Sequence, residues 1–415
     1  MMRGMCYNPF HSNIDTGGIM MIKVAILGFG TVGSGVAEVL DKNAAQVTAG
    51  AGTEIQVKYI VDVRDFPGSP YAAYMTKDFT AVENDPEVQI VVETIGGAKI
   101  AYEFTRRALL AGKCVVTSNK ELVATHGSEL MEIAREKGGR YLFEASVGGG
   151  IPVIQPIRQC LAANRLDEIY GILNGTTNYI LTRMFQNGLP FDAALREAQE
   201  KGYAEADPTA DVEGIDACRK ISILSSLCFG RHVDPAKIPT KGITSVTGAD
   251  VAIAGQKGYT LKLIGRGLTE DGKVYAYVAP HLIPGDSMIA GVTGVMNGIL
   301  VKGNAVGSVL FYGAGAGKLP TASAVVSDVI ETAKKLGQEA KPAWTESEED
   351  FVGDADTLKS RWYVRVPAGS KVPDELEYVG SAEGSDGYLT PEKCALCVGS
   401  LLEGLEVRSL FRVLA

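Results

Sequence analysis

A carboxylate and an amine stand four residues apart in one apolar stretch of the chain. Asp216 and Lys220 belong to a segment, Ile215–Leu224, whose apolar spacing predicts a helix, so both charges lie on one helical face. A charged pair on an apolar face is costly to bury and needs a reason. One interpretation is a structural ion pair at a domain seam. The other is a lysine whose protonation is tuned by partial burial and a neighbouring carboxylate, as a general acid or base in carbonyl reduction requires.

Other polar residues could hold a small ligand beside this pair. Lys120 follows a predicted strand, Cys114–Thr117, and ligands of open α/β sheets bind beyond the carboxyl ends of the strands. Lys120 is therefore expected to point into the crevice, although a surface lysine in a turn shows the same pattern. The polar patch Asn174–Asn178 lies between apolar runs, which is typical of groups converging on a small polar ligand. A capped helix start explains its threonines equally well.

The sequence GFGTVG at residues 28–33 lies between a predicted buried strand, Ile22–Gly28, and a predicted helix, Thr31–Leu40. In such a loop the first glycine permits a tight turn, and the second lets a pyrophosphate approach the backbone. The third glycine allows close packing of helix on strand, while the helix N-terminus faces the anion. The motif in this context predicts dinucleotide binding.

The type of dinucleotide depends on residues after the second predicted strand, Ile55–Val61. An acidic residue there usually holds the ribose 2′-hydroxyl of NAD, and an arginine can accept the 2′-phosphate of NADP. Both occur, as Asp62 and Arg64. We favour NADP as the cofactor, with NAD as the alternative.

Strands and helices alternate in the first part of the chain and so predict a doubly wound parallel sheet. The predicted fold is α/β: a Rossmann-type doubly wound nucleotide-binding domain, an α+β substrate and dimerisation domain, and a small C-terminal α/β module. The predicted divisions are a disordered extension (1–20), the nucleotide-binding domain (21–150), the catalytic and dimerisation domain (151–340), a linker (341–357) and the tail (358–415). Later strands of the first domain are predicted at Ile90–Thr94, Cys114–Thr117 and Arg140–Ala145.

Composition limits the partners. The formal net charge is −9 and no dense Lys/Arg cluster occurs, so neither nucleic acid nor an anionic membrane is expected to bind. No apolar run reaches the ~20 residues of a transmembrane helix. The seven cysteines are scattered, which fits a reducing cytoplasm. Cys394 and Cys397 form a CxxC within a predicted helix, Pro391–Leu402, and burial of free thiols is favoured over a metal or redox role.

Seven blocks in one order make the chain resemble homoserine dehydrogenases over roughly residues 20–340. The blocks are GFGTVG, ETIGG (93–97), TSNK (117–120), EASVGGGIP (144–152), LNGTTNYIL (173–181), GYAEADPTADVEGIDACRK (202–220) and GAGAGKLPTASAVVSD (313–328). The resemblance implies NAD(P)-dependent interconversion of homoserine and aspartate 4-semialdehyde, in the biosynthesis of threonine, methionine and isoleucine. It also implies a homodimer or homotetramer.

The resemblance also implies residue roles. Lys220 would donate the proton, with Asp216 as its partner, and Lys120 would contact the substrate and the nicotinamide. The substrate would be bound by Glu205, Asp211, Asn174, Gly175 and Thr176. The cofactor would be bound by Gly28, Phe29, Gly30, Thr31, Val32, Gly33, Arg64, Thr94, Gly96, Gly97, Ser118, Lys120 and Gly315. A sodium or similar monovalent cation would be held by backbone carbonyls of Glu144, Val147, Gly149 and Ile151.

The tail departs from the family pattern. Many relatives end in an ACT regulatory domain with a DxPGVL turn after its first strand, but Pro367–Leu376 lacks that turn. The tail is predicted to be a degenerate ACT-like module, so the resemblance does not carry threonine regulation to this chain. Two alternative functions remain: another amino-acid-pathway NAD(P) oxidoreductase of similar build, and a non-catalytic dinucleotide sensor. The cysteines lack the setting that aspartate semialdehyde dehydrogenase requires for its nucleophile, and a sensor has no need of Lys120, Glu205, Asp216 and Lys220.

Overall fold

The protein is built on two sheets, seen here in a computed structural model that describes residues 21–348 and 350–414. The predicted disordered extension, residues 1–20, lies outside the described residues. The first sheet is six-stranded and parallel, and the second is nine-stranded and mixed. This arrangement confirms the α/β class with a Rossmann-type first half. No helix in the described part of the chain is long and apolar enough to cross a membrane.

The first sheet has the strand order β3-β2-β1-β4-β5-β6. Its strands are β1 (Ile22–Leu27), β2 (Ile55–Val61), β3 (Met75–Thr76), β4 (Val88–Glu93), β5 (Cys114–Thr117) and β6 (Tyr141–Leu142). The helices of this half are α1 (Thr31–Lys42), α2 (Ala44–Ala51), α3 (Phe79–Glu83), α4 (Lys99–Leu110) and α5 (Lys120–Glu136). The chain reverses its direction of strand addition between β1 and β4, and that reversal creates the crevice in which open α/β sheets bind ligands.

The predicted strand Arg140–Ala145 is wrong in length, since only Tyr141–Leu142 pairs with the sheet. The following residues form a single 3-10 turn, Glu144–Ser146. The physical reason is a competing partner, because the Glu144 N–H donates to the Asp328 carboxyl at 2.7 Å instead of to a strand. The chain is thereby diverted out of the first sheet toward the second half of the protein.

The second sheet has the order β11-β10-β7-β8-β9-β15-β12-β14-β13. Its strands are β7 (Leu166–Ile172), β8 (Tyr259–Glu270), β9 (Lys273–Pro284), β10 (Met296–Gly303), β11 (Gly307–Ala314), β12 (Trp362–Pro367), β13 (Glu377–Ala382), β14 (Ser385–Leu389) and β15 (Ser409–Val413). Its helices are α6 (Ile154–Gln159), α7 (Gly175–Asn187), α8 (Phe191–Glu200), α9 (Thr209–Val212), α10 (Ile215–Phe229), α11 (Gly248–Gln256), α12 (Lys318–Lys334) and α13 (Ala395–Leu401).

Helix α12 ties the two halves together. It follows β11 of the second sheet, yet Ala322, Val325 and Val329 are buried in the same apolar cluster as Val24 and Ile26 of β1. The apolar face of α12 therefore covers the first sheet, since burying that face removes it from water. The loop that enters α12 is consequently held beside the crevice.

The C-terminal tail does not form a sheet of its own. Its strand β15 pairs with β9 in parallel, so the tail strands extend the second sheet. The predicted helix Pro391–Leu402 is shorter in the structure, because Lys393 pairs with Ser360 in an antiparallel bridge before α13 begins. The prediction of buried thiols is wrong for Cys397, which is exposed, and Cys394 is only half-buried.

One residue of the stretch predicted as a linker, residues 341–357, packs against the first half of the protein. Trp344 is buried against the ring of Phe143, with 5.3 Å between ring centroids, and its indole N–H donates to Ser128 Oγ at 3.1 Å. This tryptophan anchors the start of the stretch to the first half of the protein, and the described acidic residues after it are exposed: Glu346, Glu348, Asp350, Asp354 and Asp356.

Candidate active site

The two charges of the apolar helix face lie side by side. Asp216 and Lys220 occupy the start of α10, which follows Gly214 at a left-handed φ of 82°. The Lys220 ammonium donates to Asp216 Oδ2 at 2.8 Å and to the Leu173 carbonyl at 2.8 Å. Only 3% of Asp216 and 7% of Lys220 are exposed. The pair is therefore almost wholly removed from water while it keeps two hydrogen bonds.

A second lysine and an asparagine complete the surroundings of Asp216. Asn174 donates to Asp216 Oδ2 at 2.9 Å and to Asp211 at 2.7 Å. Lys120 Nζ lies 2.5 Å from Asp216 Oδ1, in an ion pair without hydrogen-bond geometry. Within the described residues, the buried Oδ1 thus accepts no hydrogen bond. Lys120 supplies the counter-charge for this oxygen, which keeps lone-pair capacity to accept from a ligand in the adjoining cleft.

Burial and charge act in opposite directions on these groups. Burial alone raises the pKa of Asp216, but the charges of Lys220 and Lys120 outweigh it and hold that pKa below its usual range. Burial lowers the pKa of Lys220, and the charge of Lys120 lowers it further against the attraction of Asp216. The cluster therefore contains an ionised carboxylate and an amine that loses its proton more readily than an ordinary lysine.

The cluster forms part of the wall of a cleft of about 680 Å³ where the two halves meet. The predicted site residues that line it are Val32, Ser118, Lys120, Val147, Gly149, Asn174, Gly175, Thr176, Glu205, Asp211, Asp216, Lys220 and Gly315. The other predicted residues lie outside its lining: Gly28, Phe29, Gly30, Thr31, Gly33, Arg64, Thr94, Gly96, Gly97, Glu144 and Ile151. The structure thus brings the predicted substrate and acid–base residues into one cavity.

Two carboxylates line the cleft together with the lysines. The exposed carboxylate of Glu205 makes no hydrogen bond or ion pair with any described residue, although its backbone carbonyl accepts from Gln199 at 3.1 Å. Asp211 is half-buried and accepts from Asn174. Carboxylates with spare acceptor capacity at the edge of a cleft can bind a cationic group such as an ammonium.

The glycine loop is close-packed where the motif requires glycine. Gly28 has a φ of 87°, and a Cβ on Gly33 would lie 1.9 Å from the Gly28 carbonyl oxygen. No side chain fits at Gly33, so α1 packs directly on the loop. The backbone N–H of Phe29 donates to Asp62 Oδ2 at 2.7 Å. This contact fixes the loop to the end of β2.

Asp62 is already engaged by protein groups. Arg64 donates to it through Nε at 3.0 Å and through a terminal guanidinium nitrogen at 2.9 Å. The side-chain hydrogen bonds from Arg64 are the main cause that lowers the pKa of Asp62, against desolvation. The Arg64 side chain is 59% exposed, and its guanidinium lies 3.8 Å from the position of a Cβ on Gly30. A cation therefore stands at the rim of the glycine loop, where an anion can reach it.

Sequence reasoning missed Glu93, the last residue of β4. Its fully buried carboxyl accepts from the Thr117 hydroxyl at 2.5 Å and from the Ile95 N–H at 2.6 Å. Thr117 Oγ1 in turn accepts from the N–H of Asn119, next to Lys120. Burial raises the pKa of Glu93 to about 7. The signal available was its place at the end of a buried strand within the ETIGG block.

The loop predicted to hold a cation is buried. No described group donates a hydrogen bond to the carbonyls of Val147, Gly149 and Ile151, and all three residues are buried. The Glu144 carboxylate accepts instead from three successive backbone N–H groups at residues 153–155. Buried carbonyls are seldom left unpaired, so the loop fits a cation that carbonyl oxygens can hold. The described side chains contain no group of three or more His, Cys, Asp or Glu suited to a metal.

Further cleft-lining residues were also missed. Tyr203, Asp207, Arg219 and Thr321 line the cavity, and Arg219 is paired with Glu121 at 3.1 Å. Arg219 directly precedes Lys220, but a single charge on a helix gives no directional signal. Thr321 lies on α12, and only the tertiary packing of that helix against the first sheet brings it to the cleft.

Comparisons with known proteins support one family. The model of the homoserine dehydrogenase NAD-binding domain matches residues 28–144, and the homoserine dehydrogenase model matches residues 152–330. Homoserine dehydrogenase of Pseudomonas aeruginosa is 44% identical over 355 residues, which cover 84% of this chain and 82% of that protein.

Solved structures that are similar to this chain support the same family. A homoserine dehydrogenase from Thiobacillus denitrificans superimposes with a TM-score of 0.86 at 36% identity, covering 95% of this chain and 98% of that one. A hyperthermophilic archaeal homoserine dehydrogenase in complex with NADPH has a TM-score of 0.65 at 28% identity, covering 77% and 100% of the two chains. The family resemblance predicted from the motifs is confirmed, as is a nicotinamide dinucleotide as the cofactor. This chain belongs to the homoserine dehydrogenase family.

Proposed function

We propose that Lys220 transfers the proton when this oxidoreductase interconverts homoserine and aspartate semialdehyde. The observation that carries the proposal is the buried contact between Lys220 and Asp216 in the wall of the cleft. The amine is close to the cavity, has a lowered pKa, and is oriented by a carboxylate that stays ionised. These are the properties of a group that both gives and takes a proton.

Each group in the cluster has a separate task in this proposal. The bound dinucleotide supplies the hydride or accepts it. The Lys220 ammonium gives its proton to the oxygen that becomes negative as the aldehyde is reduced, and the neutral amine removes it in the reverse direction. Asp216 orients the amine, and the positive charge of Lys120 stabilises the developing oxyanion. Reduction therefore requires protonated Lys220, and oxidation requires neutral Lys220.

The amino group of the substrate is assigned to the acidic side of the cleft. Glu205 has a carboxylate free of other described partners, and Asp211 lines the same cleft and accepts from Asn174. Asn174, Gly175 and Thr176 also line this cleft. An ammonium held by Glu205 and Asp211 would point the other end of a short substrate toward Lys220.

NADP is the proposed cofactor. The carboxylate of Asp62, which would hold the ribose 2′-hydroxyl of NAD, is occupied by Phe29 and Arg64. Two N–H groups of the Arg64 guanidinium are bonded to Asp62, and its remaining N–H groups at the exposed rim can donate to a 2′-phosphate. The similar archaeal enzyme in complex with NADPH supports the same choice.

A sodium or similar ion is proposed for the loop of residues 144–151. The carbonyls of Glu144, Val147, Gly149 and Ile151 would hold it. The ion would supply positive charge that fixes the junction of the two sheets and would take no part in hydride or proton transfer.

A homodimer is also proposed, because the edge strand β11 exposes Tyr312 and half-exposes Leu310 and Phe311. The six described cysteines are free, which supports a cytoplasmic location.

The proton-transfer role is tested by matched lysine variants. Lys220→Met is compared with Lys262→Met, which also removes a buried ammonium, one that bonds to Asn178 and the Val292 carbonyl away from the cleft lining. Homoserine oxidation is measured with NADP and with NAD, and cofactor binding is measured by titration. We expect Lys220→Met to lose roughly 10²–10⁴-fold in kcat with cofactor binding retained. Equal loss in both variants would reduce Lys220 to a structural residue.

A further inference from the structure

The cysteines of the tail differ from the other described cysteines in having a thiol partner. Cys114 and Cys218 are buried and Cys228 is half-buried, whereas Cys160 is exposed but without a second cysteine nearby in the chain. Cys394 is half-buried and Cys397 is exposed. They lie on either side of the first turn of α13, in the tail and outside the lining of the cleft. No part of the proposed hydride and proton transfer uses them.

The Cys394 sulfur lies beside the residue that carries the second thiol. The backbone N–H of Cys397 donates to Cys394 Sγ at 3.3 Å. Disulfide formation requires two Cβ atoms that are close and directed toward each other. The bond from the Cys397 N–H to Cys394 Sγ holds the two residues together across one turn before any disulfide forms.

The surrounding chain holds the turn in place at both ends. Before it, Lys393 exchanges two backbone hydrogen bonds with Ser360, at 3.0 and 3.1 Å, and its carbonyl accepts from the Trp362 indole at 2.9 Å. After it, Val398 is fully buried in the tail core, and its N–H donates to the Cys394 carbonyl at 3.0 Å. A turn fixed at both ends loses little conformational entropy when its two cysteines are joined.

The Cys397 N–H, which donates to the Cys394 sulfur alone, makes the two thiols unequal. Hydrogen bonding between the two side chains also lowers the pKa of Cys394 and raises that of Cys397. Because the thiolate is the nucleophile, Cys394 is the sulfur that attacks first. Cys397 is then placed to resolve the mixed disulfide from one turn away.

We propose that Cys394 and Cys397 form a thiol–disulfide exchange site whose substrate is a low-molecular-weight disulfide of the glutathione class. The Cys394 thiolate attacks one sulfur of the external disulfide, forms a mixed disulfide and releases one thiolate. The Cys397 thiolate then attacks the Cys394 sulfur, forms the Cys394–Cys397 bond and displaces the second external thiolate. The two protons of the cysteines pass to the two released thiols. The protein pair is oxidised by two electrons, and the external disulfide is reduced by two.

The test uses the full chain, reduced and then mixed with oxidised glutathione, and follows intact mass and peptide maps with time. We expect the wild type to lose two hydrogens and two free thiols, with the new bond between residues 394 and 397, and to recover both thiols in excess dithiothreitol. Cys397→Ser is expected to stop at a stable glutathione adduct on Cys394. In Cys394→Ser, reaction at Cys397 is expected to be roughly tenfold slower or more.

Cys160→Ser provides the matched control, because Cys160 is exposed and lies outside the tail. It is expected to leave closure of the pair unchanged. Thermal unfolding of each serine variant verifies that the tail stays folded, and a serine at 394 keeps a side-chain acceptor for the first turn of α13. The proposal is overturned if the wild type keeps a glutathione adduct without closing, or if Cys394 reacts no faster than Cys160.

Discussion

Two buried ion pairs in this protein are alike in their burial and differ in their surroundings. Asp216–Lys220 lies in the cleft wall, and Asp250–Arg365 joins α11 to the tail strand β12 at 2.7 Å. Arg365 also donates to Ser385 and Ser409, and Asp250 accepts from Thr247 and Ser409. All carboxylate oxygens of Asp250 are thus engaged by the protein itself.

The cleft pair lacks that completeness. Asp216 Oδ1 accepts no hydrogen bond within the described chain and faces a second lysine. A buried polar network in which every donor and acceptor is hydrogen-bonded stabilises one structure. A network with an acceptor left over can bind a further group. Burial alone therefore does not distinguish a structural pair from a chemical one, whereas the count of unused acceptors and the adjoining cavity do.

The largest expected effects come from removing one charge in each pair. Asp216→Asn is expected to lower kcat by roughly 10²–10⁴-fold, because Lys220 loses the partner that orients it and keeps it charged. Asp250→Asn is expected to lower the free energy of unfolding by about 3–5 kcal/mol, because Arg365 is left buried without a counter-charge. Both quantities are measured for both variants, by steady-state kinetics and by denaturant unfolding.

The two variants control each other. Asp250→Asn is expected to keep its kcat while folded, since Asp250 lies outside the cleft lining. If Asp250→Asn lost as much kcat as Asp216→Asn at temperatures where it is folded, the division into structural and chemical pairs would be wrong.

A third buried carboxylate, Glu93, has no cation partner among the described residues and should respond to pH. Its folded-state pKa, about 7, exceeds the ordinary value of 4.5. The folded protein therefore holds this proton longer than the unfolded chain, and the resulting stability is lost as pH rises from about 4.5 through 7. Glu93→Gln has no ionisable group at this position. Its free energy of unfolding is expected to rise by on the order of 3 kcal/mol, relative to that of the wild type, between pH 5 and pH 8.

The comparison is made by unfolding at both pH values, with Glu136→Gln as the control for an exposed carboxylate. That control is expected to give a difference from the wild type that hardly changes with pH. If the difference in unfolding free energy between Glu93→Gln and the wild type were equally independent of pH, Glu93 would be ionised in the folded protein at acidic pH.

The pH dependence of catalysis sharpens the assignment of Lys220. Burial lowers its pKa below the ordinary ~10.4, so the neutral amine needed for homoserine oxidation appears at lower pH than for a free lysine. Oxidation is expected to rise about tenfold per pH unit up to that pKa, and aldehyde reduction to fall as pH passes through it. These trends are measured as profiles of kcat against pH in both directions. If kcat changed with pH in the same sense in both directions, a shared acid–base group would be contradicted.

Much of this arrangement could be predicted from sequence, and the limits have physical causes. Local signals were sufficient for β1, the glycine loop and α10, because each depends on residues adjacent in the chain. The spacing of Asp216 and Lys220 placed both on one face. It did not show that Asn174 and Lys120 converge on the same carboxylate, because these contacts join residues 42 apart and farther in sequence.

The tail shows the same limit. Strands β13 and β14 were not predicted, since short strands with glycines and charges show no clear alternation, and β14 is paired on both sides by tertiary contacts. The packing of Trp344 against Phe143, at the start of the stretch predicted as a linker, was not predicted either, because it joins residues about 200 apart in sequence.

The smallest expected effect concerns an exposed pair, Asp62–Arg64, at the rim of the glycine loop. Arg64→Ala is expected to reduce the preference for NADP over NAD, as the ratio of kcat/KM, by about tenfold, because a solvated guanidinium adds only modest energy to phosphate binding. The matched control is Arg165→Ala, since Arg165 also pairs with a carboxylate two residues away, at 2.7 Å, on the second half of the protein. If Arg64→Ala left the ratio unchanged, as Arg165→Ala is expected to do, Arg64 would serve only to hold Asp62, and the exposed pair would be structural like Asp250–Arg365.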